Sequence, residues 1–187
     1  MKKVIIGIVV ALAIVAILFV SGYNGIIKAQ SQVEAQQANI MAQLQRRIDL
    51  IPNLIQTVNN FTTHEAEVFA AVSAAREAMM GAQTMPERAA ANDEMSAALT
   101  RLVAVAEAYP ELKSDAVYTS LMDELSGTEN RIAVARQDYN AAANSYNIAI
   151  RRFPGMLFAK MFGFSEATYF EATEAAQTTV PTVLSVS

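Results

Sequence analysis

Residues 4–20 form an unbroken apolar run of seventeen positions without a charged or strongly polar side chain, and Ser21 and Gly22 extend it slightly. At about 1.5 Å per residue the run spans roughly 26 Å, close to the ~30 Å hydrocarbon core of a bilayer. It predicts a transmembrane helix or a long signal peptide. Val20-Ser21-Gly22 is a passable small-residue cleavage site. Yet the run exceeds the ~7–15 residues usual for a signal peptide, and Tyr23 stands where an interfacial aromatic belongs. A retained anchor over residues 1–22 is the preferred reading. Lys2, Lys3 and the terminal amine outweigh Lys28 across the run, which places the N-terminus in the cytoplasm and the following domain on the other side.

Beyond the anchor the spacing changes from continuous to periodic. Over residues 30–80, Val33, Ile40, Leu54, Phe61 and Val68 fall on one seven-residue series, and Leu44, Ile51, Val58, Val72 and Met79 on a second. Two such series form the seam of helices packing side by side, and Ile48, Ile55 and Phe69 widen it as a bundle requires. Pro52 removes the hydrogen bond to the Ile48 carbonyl. Because the phase persists across it, the pattern reads as one long kinked helix, with a short break as the alternative. Only residues 21–25 separate the anchor from this seam. Two helix glycines, Gly22 and Gly25, cost about 1 kcal/mol each, so the membrane helix can continue into the bundle as one rod.

Residues 81–85 form a turn. Thr84 with Glu87 makes a capping box, and Pro86 suits the first turn of the next helix. That helix carries Met95, Leu99, Leu102, Val103 and Ala106 on one face, until Pro110 stops or bends it. Ser114 or Asp115 can cap the last long helix. Its stripe of Tyr118, Leu125, Ile132, Tyr139, Tyr146 and Phe153 lies beside the small residues Ala135, Ala142 and Ala149, the large-against-small alternation of an antiparallel core. Phe153-Pro154-Gly155 ends the helix. Pro181 precludes a helix near the C-terminus, and residues 173–187 read as an extended or disordered tail.

The fold class is therefore all-α: an N-terminal transmembrane helix followed by an elongated antiparallel bundle of three main long helices. About 165 residues beyond the anchor suffice for one core. Fourteen basic against eighteen acidic residues leave a net charge of −4 without a basic stripe, which argues against nucleic acid as a ligand. The absence of cysteine excludes disulfides, zinc thiolates and thiol catalysis. His64 is the sole histidine, and no second follows Glu65 at zincin spacing; it reads as a solvated helix-face residue. No phosphate-binding glycine loop or nucleophile elbow occurs. Catalytic, cofactor and metal sites are all expected to be absent.

Two sets of residues stand out instead. Arg47, Glu65, Glu129 and Arg136 occupy or adjoin seam positions, where charges are costly unless paired and hydrogen-bonded. They are candidates for inter-helix polar contacts that fix register; the alternative is that kinks rotate them to the surface. The second set is Met156, Leu157, Phe158, Met161, Phe162 and Phe164, an apolar cluster in which Lys160 is the only charge. The preferred reading is a cap closing the bundle end. The alternative is an exposed patch for lipid or another subunit, with Arg151, Arg152 and Lys160 near head groups.

Several strings resemble the LemA family of bacterial membrane proteins: Tyr23-Asn24, Arg46-Arg47-Ile48-Asp49-Leu50-Ile51-Pro52-Asn53-Leu54 and Ala104-Val105-Ala106-Glu107-Ala108-Tyr109-Pro110. So do Gly127-Thr128-Glu129-Asn130-Arg131-Ile132-Ala133-Val134-Ala135-Arg136, Tyr139-Asn140 and Phe153-Pro154-Gly155. The resemblance covers nearly the whole chain except the Thr-rich tail. It implies one N-terminal membrane helix, a domain of long antiparallel helices at residues 23–172, and no established catalytic activity. Together with the lysine bias, the expectation is a single-pass protein of the bacterial inner membrane with that domain on the periplasmic side. A relative in magnetotactic bacteria, associated with magnetosome membrane formation, hints at membrane organisation. The expected function is a non-catalytic scaffold that meets membrane lipid, self-associates as a homo-oligomer, and organises or shapes the membrane. The alternative is an adaptor for an unidentified membrane protein partner.

Overall fold

A computed structural model describes residues 2–62 and 65–171. His64 and the tail beyond residue 172 lie outside the described residues. Every described element is a helix: α1 (Lys2–Asn59), α2 (Ala66–Gly81), α3 (Met85–Ala106), α4 (Pro110–Lys113), α5 (Ala116–Arg151) and α6 (Gly155–Phe162). Helix α1 carries the apolar run and continues through Gly22, Gly25 and Pro52 without interruption.

The chain divides into two compact units, and α1 and α5 contribute to both. The first comprises residues 2–38 and 137–168. Its core is built from Ile26 and Val33 of α1, Tyr139, Ala142, Tyr146 and Ile150 of α5, and Phe158 of α6. Ile26 thus carries the seam one heptad closer to the apolar run. Phe153, the last member of the α5 stripe, departs from it and is 76% exposed.

The second unit comprises residues 39–136 together with 169–171. Within it α1 and α5 run antiparallel: Gln43 meets Arg131 and Arg46 meets Glu124, so contacts ascend one helix as they descend the other. Ile40, Leu44, Ile48, Ile51, Leu54 and Val58 are buried here, as are Val72, Met79, Met95, Leu99, Leu102, Leu125 and Ile132. Most members of the two series written in the sequence are buried, while Phe61 and Val68 are half-buried.

One expectation changes. The periodic stretch from residue 30 to 80 is two helices, not one: α1 runs through Pro52 to end at Asn59, and α2 begins at Ala66. Asn59, Asn60 and Thr62 have side chains that compete for backbone groups. Thr62 Oγ1 donates to the Val58 carbonyl at 3.2 Å, and the Asn60 and Phe61 amides close tight turns on Thr57 and Val58. At Pro52 the Ile48 carbonyl finds another donor, the Nε of Arg76 on α2, at 3.3 Å. The remaining boundaries follow the local chemistry. Thr84 and Glu87 form the reciprocal capping box of α3, and Asp115 accepts from the Tyr118 amide at 2.8 Å to start α5.

Candidate functional site

In the second unit Arg47 is 3% exposed. Its Nη1 pairs with the Glu129 carboxylate of α5 and donates to Asn92 Oδ1 of α3 at 2.6 Å, while Nη2 donates to Ser96 Oγ at 3.0 Å. Three helices are thereby tied to one guanidinium. Burial pulls the Arg47 pKa below its ordinary value, and the charges of Glu129 and Asp93 oppose that shift. The guanidinium stays charged, as arginine does in proteins. A groove of about 490 Å³ runs beside it, lined by Ser96, Leu99, Val103, Leu125 and Glu129. Glu129 is half exposed at the rim and engaged by Arg47. The arrangement is a clamp rather than an acid–base pair.

A second ionic cluster lies alongside. Glu124 accepts from Arg46 at 2.6 Å and from Arg131 at 3.2 Å, and Arg131 also reaches Gln43 and the buried Thr128 hydroxyl. The hydrogen bond from Arg46 holds the Glu124 carboxyl below the usual carboxylate range. Glu65 accepts from the Tyr109 hydroxyl at 3.3 Å. Arg136 is half-buried and has no hydrogen-bond or ion-pair partner among the described residues. Arg47 and Glu129 are therefore brought together, while Glu65 and Arg136 stand apart from them.

In the first unit α6 folds back onto the end of the apolar run. The Phe158 ring lies edge-on to Phe19, with centroids 4.8 Å apart, and covers Gly22, where a Cβ would stand 2.6 Å from its Cε2. Phe162 packs 4.9 Å from Tyr23, and Phe164 lies 6.0 Å from the same ring. Gly155 enters so closely that a Cβ would meet the Ala149 carbonyl oxygen at 1.9 Å. Of the apolar cluster only Phe158 is buried; Met156, Leu157, Met161 and Phe162 are exposed and Phe164 is half-buried. A cap closing the bundle end would hide all of them. An eight-residue helix has only one face to turn inward, and Gly155 and Phe158 occupy it.

Sequence reasoning missed the strap that follows. After Gly163, whose φ of 76° ends α6, the chain leaves helical geometry and runs along α5. Asn147, 1% exposed, donates to the Ala167 carbonyl at 2.9 Å and accepts from its amide at 2.8 Å, and the Tyr139 hydroxyl donates to the Thr168 carbonyl at 2.7 Å. An asparagine at a core-facing helix position was the available signal, since a buried amide requires partners. Among the described residues no group of three or more His, Cys, Asp or Glu side chains is placed to hold a metal.

These contacts fall on the strings that resemble one family: Arg46, Arg47 and Ile48, Thr128, Glu129 and Arg131, Tyr139, and Gly155 each hold a defined contact. The sequence profile described as LemA family matches residues 36–184. The chain belongs to the LemA family. It is 32% identical to magnetosome protein MamQ 2 of Paramagnetospirillum magneticum over 186 residues, covering 86% of this chain and 68% of that protein. Magnetosome protein MamQ of Magnetospirillum gryphiswaldense is 28% identical over the same shares. Protein LemA of Metamycoplasma hominis is 22% identical over 178 residues, covering 93% of this chain and 80% of the relative. None of these names denotes an enzyme. One described helix is long and apolar enough to cross a membrane, consistent with a membrane-associated LemA protein.

Proposed function

We propose that this LemA-family protein is a non-catalytic, membrane-anchored helical scaffold whose copies associate and organise the membrane. One observation carries the reading. No described residue of the apolar stretch of α1 is buried by the other described residues, and Ile5, Ile8, Leu12, Val15, Ile17 and Leu18 are all more than half exposed. Fully burying each such side chain is worth about 1.5–3 kcal/mol, so covering the run favours lipid by some tens of kcal/mol. The protein is single-pass in the bacterial cytoplasmic membrane, and Lys2 and Lys3 favour a periplasmic helical domain.

Self-association is supported by the first unit. There α1 and α5 leave between them a groove of about 590 Å³ lined by Gly25, Ala29, Ala141 and Ala142, with Lys28 and Asp138 at its edges. Small residues let a further helix approach closely, and opposite charges at the rim can pair with those of another copy. Kinship with proteins named for the magnetosome supports a role in membrane organisation.

The mass of the detergent-solubilised protein tests the proposal. A multiple of the chain mass is expected, and Ala141→Leu, which fills the groove, is expected to reduce it. A monomer that co-purifies with one other membrane protein would replace the scaffold by an adaptor.

A further inference from the structure

We propose that α6 is an interfacial membrane helix, seated at the edge of the leaflet on the domain side, with its outward apolar side chains in lipid. The inference rests on residues 4–20 spanning the bilayer and assigns a second, lateral membrane contact to the same unit.

Depth is the first argument. The apolar run is centred near residue 12. Phe19, seven residues on, stands about 10 Å from the midplane of a hydrocarbon core about 15 Å deep on each side, and Tyr23 about 16 Å from it. Phe19 is thus just inside the hydrocarbon and Tyr23 at its boundary. Helix α6 is fastened to that interval: Phe158 packs on Phe19 and Gly22, and Phe162 lies 6.4 Å from Phe19 and 4.9 Å from Tyr23. The anchor itself therefore sets the height of α6.

The outward face is the second. Met156 is 53% exposed, Leu157 51% and Met161 59%, and Phe153 just before the helix is 76% exposed, while Phe162 lies on the side that packs against Phe19 and Tyr23. At 100° per residue Met156, Lys160, Leu157 and Met161 occupy one continuous arc opposite Gly155 and Phe158. Lysine within an apolar arc suits a hydrocarbon edge, because its stem lies in lipid while its ammonium reaches the head groups. Arg151 and Arg152 are exposed immediately upstream, and Glu166 offsets only Arg151, at 3.4 Å. The apolar surface is continuous with that of the anchor through Phe19, which lipid must already cover. Continuity and charge both select a bilayer containing anionic phospholipid as the occupant, rather than a second copy. An amphipathic helix placed so adds bulk to one leaflet only.

The chain has no cysteine, so single labels report without background. Environment-sensitive fluorophores are placed at Leu157→Cys and Met161→Cys, with Ile8→Cys in the anchor and Glu94→Cys on α3 as references. The full chain is reconstituted in vesicles of phosphatidylcholine and phosphatidylglycerol, and circular dichroism verifies that each variant keeps its helix content. Lipids spin-labelled high on the acyl chain are expected to quench Leu157→Cys and Met161→Cys several-fold more than Glu94→Cys, with matching protection from aqueous iodide at every protein-to-lipid ratio. Iodide quenching equal to that of Glu94→Cys overturns the proposal, as does protection that vanishes on dilution into excess lipid, which would make a second copy the cover. If Ile8→Cys is lipid-quenched while the α6 labels are not, the anchor stands and the interfacial helix falls. If Ile8→Cys is also water-exposed, the membrane reading itself fails.

Discussion

The Nε of Arg76 donates to the carbonyl of Ile48 at 3.3 Å, and that carbonyl is the acceptor which Pro52 deprives of its helical partner. A side chain from α2 thus repairs α1 at the one point where proline interrupts it. The helix continues to Asn59 instead of ending at the residue before the ring.

This pairing predicts coupling between two positions that do not share a helix. Arg76→Met should lower stability by about 1–2 kcal/mol, because it leaves a carbonyl in the helix packing without a donor. In a Pro52→Ala background the new amide bonds the same carbonyl, and the cost of Arg76→Met should shrink by about 1 kcal/mol. A double-mutant cycle by urea unfolding measures it. Additive effects would show that Arg76 contributes only packing.

Arg47 and Arg136 occupy similar places in the sequence pattern but not in the fold. Arg47→Met removes the shared donor of Asn92, Ser96 and Glu129 at once, leaving the buried Asn92 carbonyl oxygen without it, and is expected to cost about 2–3 kcal/mol. Arg136→Met, with no partner to lose among the described residues, should stay within about 0.5 kcal/mol. Denaturant midpoints compare the two. Equal effects would remove Arg47 from any role in fixing register.

Three glycines should respond differently to alanine. Gly155→Ala meets the Ala149 backbone carbonyl and should abolish the docking of α6 or lower the melting temperature most. Gly22→Ala meets only the rim of the Phe158 ring, which can shift, so a smaller loss is expected. Gly25→Ala meets nothing within 4 Å and should be neutral or gain up to about 1 kcal/mol from helix propensity. Thermal unfolding in detergent ranks the three, and a different order would mean that α6 docks in another way.

Acid should loosen the second unit through two carboxylates. Arg46 lowers the Glu124 pKa, and the Thr84 and Gln83 amides lower that of Glu87. In both cases the folded pKa lies below the unfolded one, so the folded state binds fewer protons between the two. The stabilisation is complete above the ordinary glutamate value of about 4.3 and disappears as pH falls through the folded value. Urea midpoints at neutral and acidic pH should diverge, and Glu124→Gln should flatten the slope. An unchanged slope would show that Glu124 has no such linkage.

The apolar run, both heptad series, the capping box at Thr84 and the aromatic stripe of α5 were legible from the sequence. Each is a matter of neighbours within a few residues, and helical periodicity turns such neighbours directly into a buried face. Tertiary structure decided the rest. It ended α1 at Asn59 rather than at Pro52, where packing supplies the Arg76 donor to the Ile48 carbonyl. It joined Arg47 to Glu129 and gave Arg136 no partner among the described residues, because seam positions state that a charge must find a partner but not which helix brings one. It drew the strap onto Asn147, a contact across twenty residues that no local period encodes. It turned most of the α6 apolar side chains outward, since an eight-residue helix buries one face and leaves the remainder uncovered by the other described residues.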